Sequence, residues 1–462
     1  MIEKIEKLFE TRDVLLTGGG GVGKSYLAME LVARAKKSAK QVVVLGSTGI
    51  SAVNINGQTI HSFFAFGICS SLDGLSKQDK YSKNRLMEIK KILSKCDLLV
   101  IDEISMVSAA LLDMIQYRLR IANFKGRILF VGDFFQLPPV FKKRSDTLTG
   151  TQGYAFQSSA WEYINPLIIE LTKTKRTSDS EFFEILRKIR WAQADTQVLE
   201  YLNSLRSNID SWNKEATVLF ARNREANEMN LLKLNELKGE LILIKAKEKL
   251  HVKNLHENKI KNWKNSLPIP CDLSLKIGAK VLFCTNKWSK YYNGERGIII
   301  DITNDYIIVE KENATVKVEK QEFVMSENII LNDNIEEKPL VSIEQFPLKL
   351  AYAITIHKSQ GMSIDGLVCN IDNIFEKSQF YVAISRAINP KKLLLHQSYG
   401  DFERWIKNII KVSPEVIEFY KNSEVLRIEE EDEKDNQELL RGDHIYILIT
   451  KLCIHLSRNS LF

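Results

Sequence analysis

The sequence lacks the features that mark membrane-spanning, secreted or disulfide-stabilised proteins. Its most apolar late stretch, residues 445–456, is too short to cross a bilayer and carries Lys451 and His455. The first residues are charged and contain no apolar signal-peptide core. The six cysteines are scattered without a C-x-x-C pair, which indicates neither a zinc site nor a disulfide framework. We therefore expect a globular protein without a membrane role, cytoplasmic, and associated with the nucleoid if its source is bacterial.

No strong charge bias is present either. The net charge of +7, with a pI near 8.8, permits a polyanionic partner without requiring one. The length of 462 residues suits two to four compact units, and an apolar content of 44% is sufficient for ordinary hydrophobic cores.

A glycine-rich loop is the most informative stretch. Residues 18–25 read GGGGVGKS and follow an apolar, strand-like run at 14–16. Such a loop turns backbone N–H groups toward phosphates, and the helix that follows adds its positive end to the same place. Lys24 is predicted to reach the outer phosphates, and the Ser25 hydroxyl to hold Mg²⁺. The predicted nucleotide contacts are Gly18, Gly19, Gly20, Gly21, Val22, Gly23, Lys24, Ser25 and Tyr26.

Two further strand-like runs end in polar side chains. Residues 98–106 read LLVIDEISM and residues 128–140 read ILFVGDFFQLPPV. In an open α/β sheet these ends form the ligand-binding edge. Asp102 is predicted to hold Mg²⁺ and Glu103 to orient and deprotonate the attacking water. Gln136 is predicted to contact the terminal phosphate or that water.

The pattern along the chain predicts an α/β protein with two parallel-sheet units. The first spans 1–175, with a polar excursion at 65–84 that we interpret as a hairpin or a small subdomain. The second spans 176–234 and 346–423, and is interrupted at 235–345 by a β-rich insertion. Residues 424–462 are predicted to be an acidic linker and a tail without an assigned role.

Six short motifs resemble those of the petite-integration-frequency DNA helicases, superfamily 1B motors related to RecD and Dda. IDEISM and GDFFQLPPV are similar to motifs II and III, and STGISA at 47–52 and TIHSF at 59–63 to motifs Ia and Ib. LAYAITIHKSQG at 350–361 and FYVAISRA at 380–387 are similar to motifs V and VI. The resemblance covers about residues 10–400. It implies two RecA-like (P-loop NTPase) motor domains, a wedge at 65–84 that contacts the fork, and an SH3-like insertion at 235–345.

The resemblance also implies roles for individual residues. Arg386 is the expected arginine finger, and Arg176 in motif IV joins Lys24, Glu103 and Gln136 as catalytic. Gln360 and Gly361 are expected to contact nucleotide. The family's Arg-Gln pair stands here as Arg176-Thr177, and no glutamine before the phosphate loop matches the adenine-reading one, so strict ATP preference is left open. The implied DNA-binding residues are Ser47, Thr48, Gly49, Thr59, His61, Phe63, Thr355, His357, Lys358 and Ser359, with His61 or Phe63 stacking on a base.

The implied function is an ATP- and Mg²⁺-dependent DNA helicase that moves 5′-to-3′ on single-stranded DNA as a monomer. Unwinding duplex or forked DNA in repair, recombination or replication follows from this. The residues also permit a P-loop ATPase that switches protein partners, a nucleic-acid scaffold with an inactive ATPase, and an RNA or 3′-to-5′ helicase. DNA stimulation of ATP turnover, and unwinding of duplexes with a 5′ or a 3′ tail, separate these alternatives.

Overall fold

The described part of the chain folds into two parallel sheets covered by helices and three smaller antiparallel sheets. A computed structural model describes residues 2–55, 57–67, 69, 71–80, 82–139, 153–174, 176–207, 216–253, 255–287, 289–312 and 314–428.

The strands alternate with helices in the two α/β units and follow one another directly in the β-rich insertion. The strands are β1 (Val14–Gly18), β2 (Val42–Gly46), β3 (Gln58–Thr59), β4 (Leu98–Asp102), β5 (Arg127–Val131), β6 (Leu167–Leu171), β7 (Thr217–Phe220), β8 (Ile242–Lys245), β9 (Lys247–Leu250), β10 (Asp272–Leu275), β11 (Lys280–Phe283), β12 (Arg296–Ile302), β13 (Tyr306–Lys311), β14 (Ala314–Glu319), β15 (Gln321–Leu331), β16 (Asn334–Gln345), β17 (Leu348–Leu350), β18 (Ala353–Thr355), β19 (Leu367–Asn370), β20 (Leu393–His396) and β21 (Val425–Ile428).

The described residues contain the following α-helices, most of which cover the faces of the two parallel sheets. They are α1 (Ile2–Thr11), α2 (Lys24–Lys37), α3 (Gly49–Asn54), α4 (Ile60–Phe63), α5 (Leu72–Asp79), α6 (Lys83–Lys95), α7 (Ala109–Ile121), α8 (Ser159–Ile164), α9 (Ser180–Arg190), α10 (Thr196–Ser204), α11 (Asn223–Glu236), α12 (Glu257–Ser266), α13 (Gln379–Ile384), α14 (Phe402–Ile409) and α15 (Pro414–Asn422).

The first domain is a seven-stranded parallel sheet in the order β21-β6-β1-β5-β4-β2-β3. β1 and β4 are buried along their whole length, as continuous apolar runs in a sheet covered on both faces require. Because all strands run the same way, the loops after β1 and β4 leave from the same edge. This edge carries the phosphate loop and the carboxylates together.

The second domain is a four-stranded parallel sheet in the order β18-β7-β19-β20. Its core combines apolar side chains of the sheet with those of α9, α10, α13 and α14. The two parallel sheets confirm the predicted α/β fold class.

The β-rich insertion contains a five-stranded antiparallel sheet in the order β14-β13-β12-β11-β17, as the short alternating runs predicted. A second sheet of the insertion contains the long hairpin of β15 and β16, which extends to the first domain. There the Gln41 side chain accepts from the backbone N–H of Ile335 at 2.6 Å, and Lys95 pairs with Asp333.

The structure differs from the sequence interpretation at two places. Of the two alternatives for 65–84, a hairpin is wrong for residues 71–80, which form α5, because the Ser71 side chain caps the helix and Leu75 is buried in the first core. The second difference is at the end of the described chain. The prediction placed 414–423 in the second unit and began a linker at 424. Instead, Val416 and Tyr420 of α15 bury in the first core, and apolar β21 pairs with β6. The rest of the predicted tail, 429–462, lies outside the described residues.

Helices long and apolar enough to cross a membrane are absent from the part of the chain that the structure describes.

Candidate nucleotide and nucleic-acid sites

The phosphate loop connects β1 to α2, which begins at Lys24. Gly23 adopts φ 88°, a left-handed conformation that glycine tolerates, and the N-terminal amides of α2 face the loop. The Lys24 ammonium donates to the carbonyl oxygens of Gly18 at 2.8 Å and Gly19 at 2.9 Å. Burial lowers the pKa of Lys24 to about 8, against the opposing charges of Asp133 and Glu103. Phosphate oxygens would replace these carbonyl partners and stabilise the ammonium, which raises the pKa of Lys24 again.

Two adjacent carboxyl groups lie at the end of β4. Asp102 is buried and Glu103 is half-buried, desolvation raises the pKa of each, and the Glu103 charge raises the pKa of Asp102 further. Glu103 adopts φ 54°, and its Oε2 accepts from Nε2 of Gln360 at 3.0 Å. The first domain thus holds a carboxyl pair that a residue of the second domain contacts.

The donor set at this edge fits Mg²⁺. A carboxylate and a hydroxyl are hard oxygen ligands, and two carboxyls buried side by side favour a bound cation. Within the described residues, no group of three or more His, Cys, Asp and Glu side chains could hold a metal ion. Ser25 and Asp102 would therefore supply two ligands, with phosphates and water completing the shell.

Two arginines approach the phosphate loop from the opposite side. Arg176 donates from Nε to Ser363 at 2.8 Å and from Nη1 to the Ser385 carbonyl at 2.5 Å. Arg386 is buried and donates from Nε to the Val382 carbonyl at 2.9 Å. Burial and the nearby Arg386 charge lower the pKa of Arg176, but guanidinium groups stay protonated at neutral pH. Both cations are held by neutral oxygens in a desolvated cleft.

The loop glycines permit this approach. A Cβ on Gly20 would lie 3.0 Å from Ser385 Oγ and 3.3 Å from Arg176 Nη1, and a Cβ on Gly21 would clash with Arg176. Any larger residue would keep the second domain off the loop.

Tyr381 is a contact that the sequence interpretation did not assign. Its hydroxyl accepts from the backbone N–H of Gly20 at 2.9 Å, so α13 of the second domain is hydrogen-bonded to the phosphate loop. Burial raises the pKa of Tyr381, and the phenol stays neutral. The residue lies inside the FYVAISRA motif, but nothing in its type alone distinguishes it from a core tyrosine.

The loop after β5 is fixed by a buried ion pair. Arg190 of α9 donates to both carboxylate oxygens of Asp133, at 3.1 and 2.9 Å, and to Glu170 at 2.8 Å. The Asp133 carbonyl in turn accepts from the backbone N–H of Gln136 at 2.8 Å. This cluster, Arg190 with Asp133 and Glu170, is called the hinge cluster below. It sets the backbone that carries Gln136.

Aromatic rings enclose the hinge cluster. The Arg190 guanidinium lies 4.6 Å from the centroid of Phe135 and 5.9 Å from that of Tyr420. The Tyr420 hydroxyl is 2.8 Å from Oγ1 of Thr17, the residue before the phosphate loop. The hinge cluster therefore connects α9, the loop after β5, the end of β1 and α15.

A cavity of about 650 Å³ adjoins the phosphate loop on the side of α1 and α2. The exposed Tyr26 lines it with Val22 and Gly23. Its position beside the loop has room for the base and sugar of a nucleotide, and the contacts of Val22 and Tyr26 with such a ligand stay predictions.

A second cavity, of about 670 Å³, lies where both domains and the β-rich insertion meet. We call it the strand-path cavity. Thr355, Lys358 and Gln360 line it, so three of the predicted motif V residues come together there. Gly361 lies nearby, since a Cβ on it would be 3.8 Å from Nδ2 of Asn54, another residue of the cavity wall.

The predicted contacts of motifs Ia and Ib lie at the starts of two short helices. Thr48 and Thr59 accept from Ser51 and Ser62 N–H groups and thereby cap α3 and α4. The Ser47 hydroxyl is buried without a partner among the described residues. Gly49 is packed against Ser266 of α12, which leaves no room for a Cβ. His61 remains exposed.

Two predicted DNA contacts are wrong. Phe63 is 0% exposed and packs in the first core with Phe64 at 4.9 Å, so it cannot stack on a base. Ser359 is also 0% exposed, and its hydroxyl donates to the Ile356 carbonyl at 2.7 Å, which makes it part of a turn. Phe63 faces the core together with Ile60, one helical turn earlier, and Ser359 is the buried residue of its own turn. His357 lies 3.1 Å from Glu376, outside the strand-path cavity.

Comparisons with known proteins point to one family. The PIF1-like helicase family matches residues 2–196. The chain is 43% identical over 441 residues to the ATP-dependent DNA helicase Pif1 of Campylobacter jejuni, covering 93% of this chain and 99% of that protein. It is similar, with a TM-score of 0.78 and 30% identity, to Bacteroides sp Pif1 in complex with ADP-AlF4, covering 91% and 95% of the two chains. Against Bacteroides Pif1 bound to ssDNA the TM-score is 0.60, with the same identity and coverage.

Proposed function

This chain belongs to the PIF1-like helicase family, and from that premise we propose that ATP hydrolysis between its two parallel-sheet domains drives 5′-to-3′ movement along single-stranded DNA. It is an ATP-dependent DNA helicase. The observation that supports our proposal most directly is the contact between the phosphate loop and the second domain, through Tyr381, Arg176 and Ser385.

On the first domain, the loop amides and Lys24 would bind the phosphates. Ser25 and Asp102 would hold Mg²⁺, which when bound neutralises charge on the phosphates. Glu103 is the group to orient the attacking water and accept its proton, because burial has already raised its pKa. Gln360 fixes that carboxylate through its 3.0 Å hydrogen bond. Gln136, held by the hinge cluster, would contact the terminal phosphate or the water.

The second domain would contribute the cations that complete the site. Arg176 and Arg386 would pull on the same phosphates as Lys24, so bound ATP favours a closed cleft. Hydrolysis divides the negative charge of ATP between ADP and phosphate. The cations of the two domains then no longer attract one shared group, and the cleft opens. ATP thus shifts a two-state equilibrium through its greater affinity for the closed form.

Gln360 offers a direct route from hydrolysis to the strand. It lines the strand-path cavity and donates to the proposed catalytic carboxylate. If bound single-stranded DNA displaces the turn that carries Gln360, the Glu103 carboxylate would move relative to the attacking water. We propose that this contact makes ATP turnover dependent on DNA.

The strand is also expected to change how the domains sit together. The relative bound to ssDNA has a TM-score of 0.60 to this chain, whereas the relative with ADP-AlF4 has 0.78, at equal identity and coverage. This chain therefore has an arrangement closer to the latter. We propose that α5 and its surroundings contact the fork after that rearrangement, and that one chain suffices as the motor.

The test is ATP hydrolysis with and without single-stranded DNA, followed by unwinding of one duplex with either a 5′ or a 3′ tail. We expect strong stimulation and unwinding from the 5′ tail alone. Lys24→Ala should abolish turnover and keep DNA binding, and Lys37→Ala, at the far end of α2, should change neither. No stimulation by DNA would favour a protein-directed ATPase. Unwinding from the 3′ tail alone would reverse the proposed direction.

A further inference from the structure

Two cations of the strand-path cavity make no ion pair within the part of the chain that the structure describes. Lys349 and Lys358 both line this cavity. We infer that Lys349, together with Lys358, binds a backbone phosphate of the single strand. This inference rests on the proposed function and adds a phosphate contact, Lys349, that no sequence motif assigns.

The fold directs Lys349 into the cavity. It is the middle residue of β17, which pairs with β11 so that Lys349 lies opposite Leu282. Its neighbours Leu348 and Leu350 pack in the core of the β-rich insertion. Because successive side chains of a strand point to opposite faces, the lysine must leave that core and face the cavity. β17 also joins the insertion to the second domain, so the ammonium lies at their junction.

No acceptor satisfies this pair. Within the described residues, neither ammonium makes an ion pair or a hydrogen bond, whereas Lys264, another lysine of the cavity wall, pairs with Glu248. The Cys284 thiol near Lys349 is neutral, because burial raises its pKa to about 11. Burial and the charge of Lys358 lower the pKa of Lys349. Lys349 is half-buried and Lys358 is exposed, so two like charges lie side by side in the cavity and an anion from outside the chain would relieve their repulsion.

The surrounding wall suits a polynucleotide. Asn54, Asn223 and Asn227 are exposed and line the same cavity, and their amides can donate to and accept from sugars and base edges without selecting a sequence. Thr355 and Gln360 complete the lining near the lysines. The cavity beside Tyr26, which suits the nucleotide, is lined by a different set of residues. The anion that fits this position is a phosphodiester of the translocated strand.

The experiment measures the salt dependence of single-strand binding, with a fluorescein-labelled oligo-dT and anisotropy as the readout. Each phosphate contact contributes about 0.7 to the slope of log K against log salt for single strands. Lys349→Gln should therefore reduce the slope by about 0.7, which is about a fivefold loss of affinity at ~0.1 M salt. Lys349→Arg should keep the slope. Lys37→Gln, which changes the net charge equally on the far end of α2, should bind as the wild type does.

Folding is checked on the same proteins without DNA. Since Lys349 has no partner to lose, the melting temperature of Lys349→Gln should equal or exceed that of the wild type. A slope equal to that of the wild type, or a lower melting temperature, would overturn the inference, the latter because it would reveal a structural partner. Failure of the wild type to bind oligo-dT at all would instead contradict the proposed function.

Discussion

The hinge cluster holds a buried cation and the strand-path cavity holds a half-buried and an exposed one, and the two regions differ in whether the chain itself supplies a counter-charge. Arg190 is met by Asp133 and Glu170, and two aromatic rings cover its planar group. Lys349 and Lys358 meet no carboxylate among the described residues. An arginine that is paired with carboxylates stabilises the fold without any ligand. A lysine that has no carboxylate partner gains a counter-charge only when an anionic ligand binds. The comparison separates residues that define the structure from residues that bind.

The nucleotide cleft belongs with the second kind. Arg386 is held by the Val382 carbonyl and the Ser385 hydroxyl, so its positive charge is left for a phosphate. The three sites therefore differ in whether the chain itself supplies a counter-charge for the cation. Variants in the nucleotide cleft should lose catalysis, variants in the hinge cluster should lose stability, and variants in the strand-path cavity should lose DNA binding.

The largest effect is expected in the cleft. Arg386→Ala should lower kcat by about 10³–10⁵, because an arginine finger neutralises charge that develops in the transition state. The KM for ATP should change far less. Steady-state ATP hydrolysis with saturating single-stranded DNA measures both constants. Arg404→Ala, on exposed positions of α14, is the control. An equal loss of nucleotide affinity would make Arg386 a binding group.

The hinge cluster should show its effect in stability. Arg190→Ala leaves the buried carboxylate of Asp133 without a counter-charge and with only the Phe135 N–H as a donor, so we expect a loss of about 3–5 kcal/mol in the free energy of unfolding. Urea denaturation followed by fluorescence measures it. Arg427→Ala is a matched control in the same network. It pairs with Glu170 at 3.3 Å, but its side chain is 66% exposed, so the expected loss is below ~1 kcal/mol. Similar losses for both variants would remove the distinction between the hinge cluster and an ordinary surface pair.

A smaller effect is expected for Tyr381→Phe. The variant keeps the ring in the second core and removes one hydrogen bond to the Gly20 N–H. The loss of about 1 kcal/mol from the closed state corresponds to roughly a fivefold lower rate of ATP hydrolysis. Tyr399→Phe, at a tyrosine of the second domain that is 72% exposed, should hydrolyse ATP as the wild type does. A rate unchanged in Tyr381→Phe would show that the hydroxyl does not stabilise closure.

The sequence predicted best what consecutive residues determine. Asp102 ends β4, Glu103 follows it, and Lys24 lies one short loop after β1, so local order alone brings them to one edge of the sheet. Arg190 and Lys349 could not be predicted in the same way. Arg190 meets Asp133 across 57 residues, and the absence of a partner for Lys349 is a property of the whole cavity.

The errors have physical causes of the same kind. Phe63 sits in a motif that resembles a strand-binding one, but α4 is a single turn whose first and last residues, Ile60 and Phe63, face the core. The return of β21 to the first sheet depends on a free strand edge at β6 that no local pattern reveals. Contacts between residues far apart in the sequence decided both points.

The smallest effect concerns the pH dependence of stability, and it separates the two kinds of cation directly. Burial first, and Lys358 second, lower the pKa of Lys349 below the ordinary lysine value of 10.5. At pH values between the lowered pKa of folded Lys349 and the value of 10.5 in the unfolded chain, the unfolded chain binds more protons than the folded one. The free energy of unfolding therefore rises with pH over that range. The Cys284 thiol, with its pKa near 11, stays neutral through most of it. Without DNA, the wild type should therefore gain stability relative to Lys349→Gln as pH rises toward 10.5, as urea midpoints of both proteins measure. The deficit of Arg190→Ala should stay constant over the same range, since an arginine paired with two carboxylates does not titrate. If the difference between wild type and Lys349→Gln is also constant, Lys349 carries no unfavourable charge and belongs with the compensated cations.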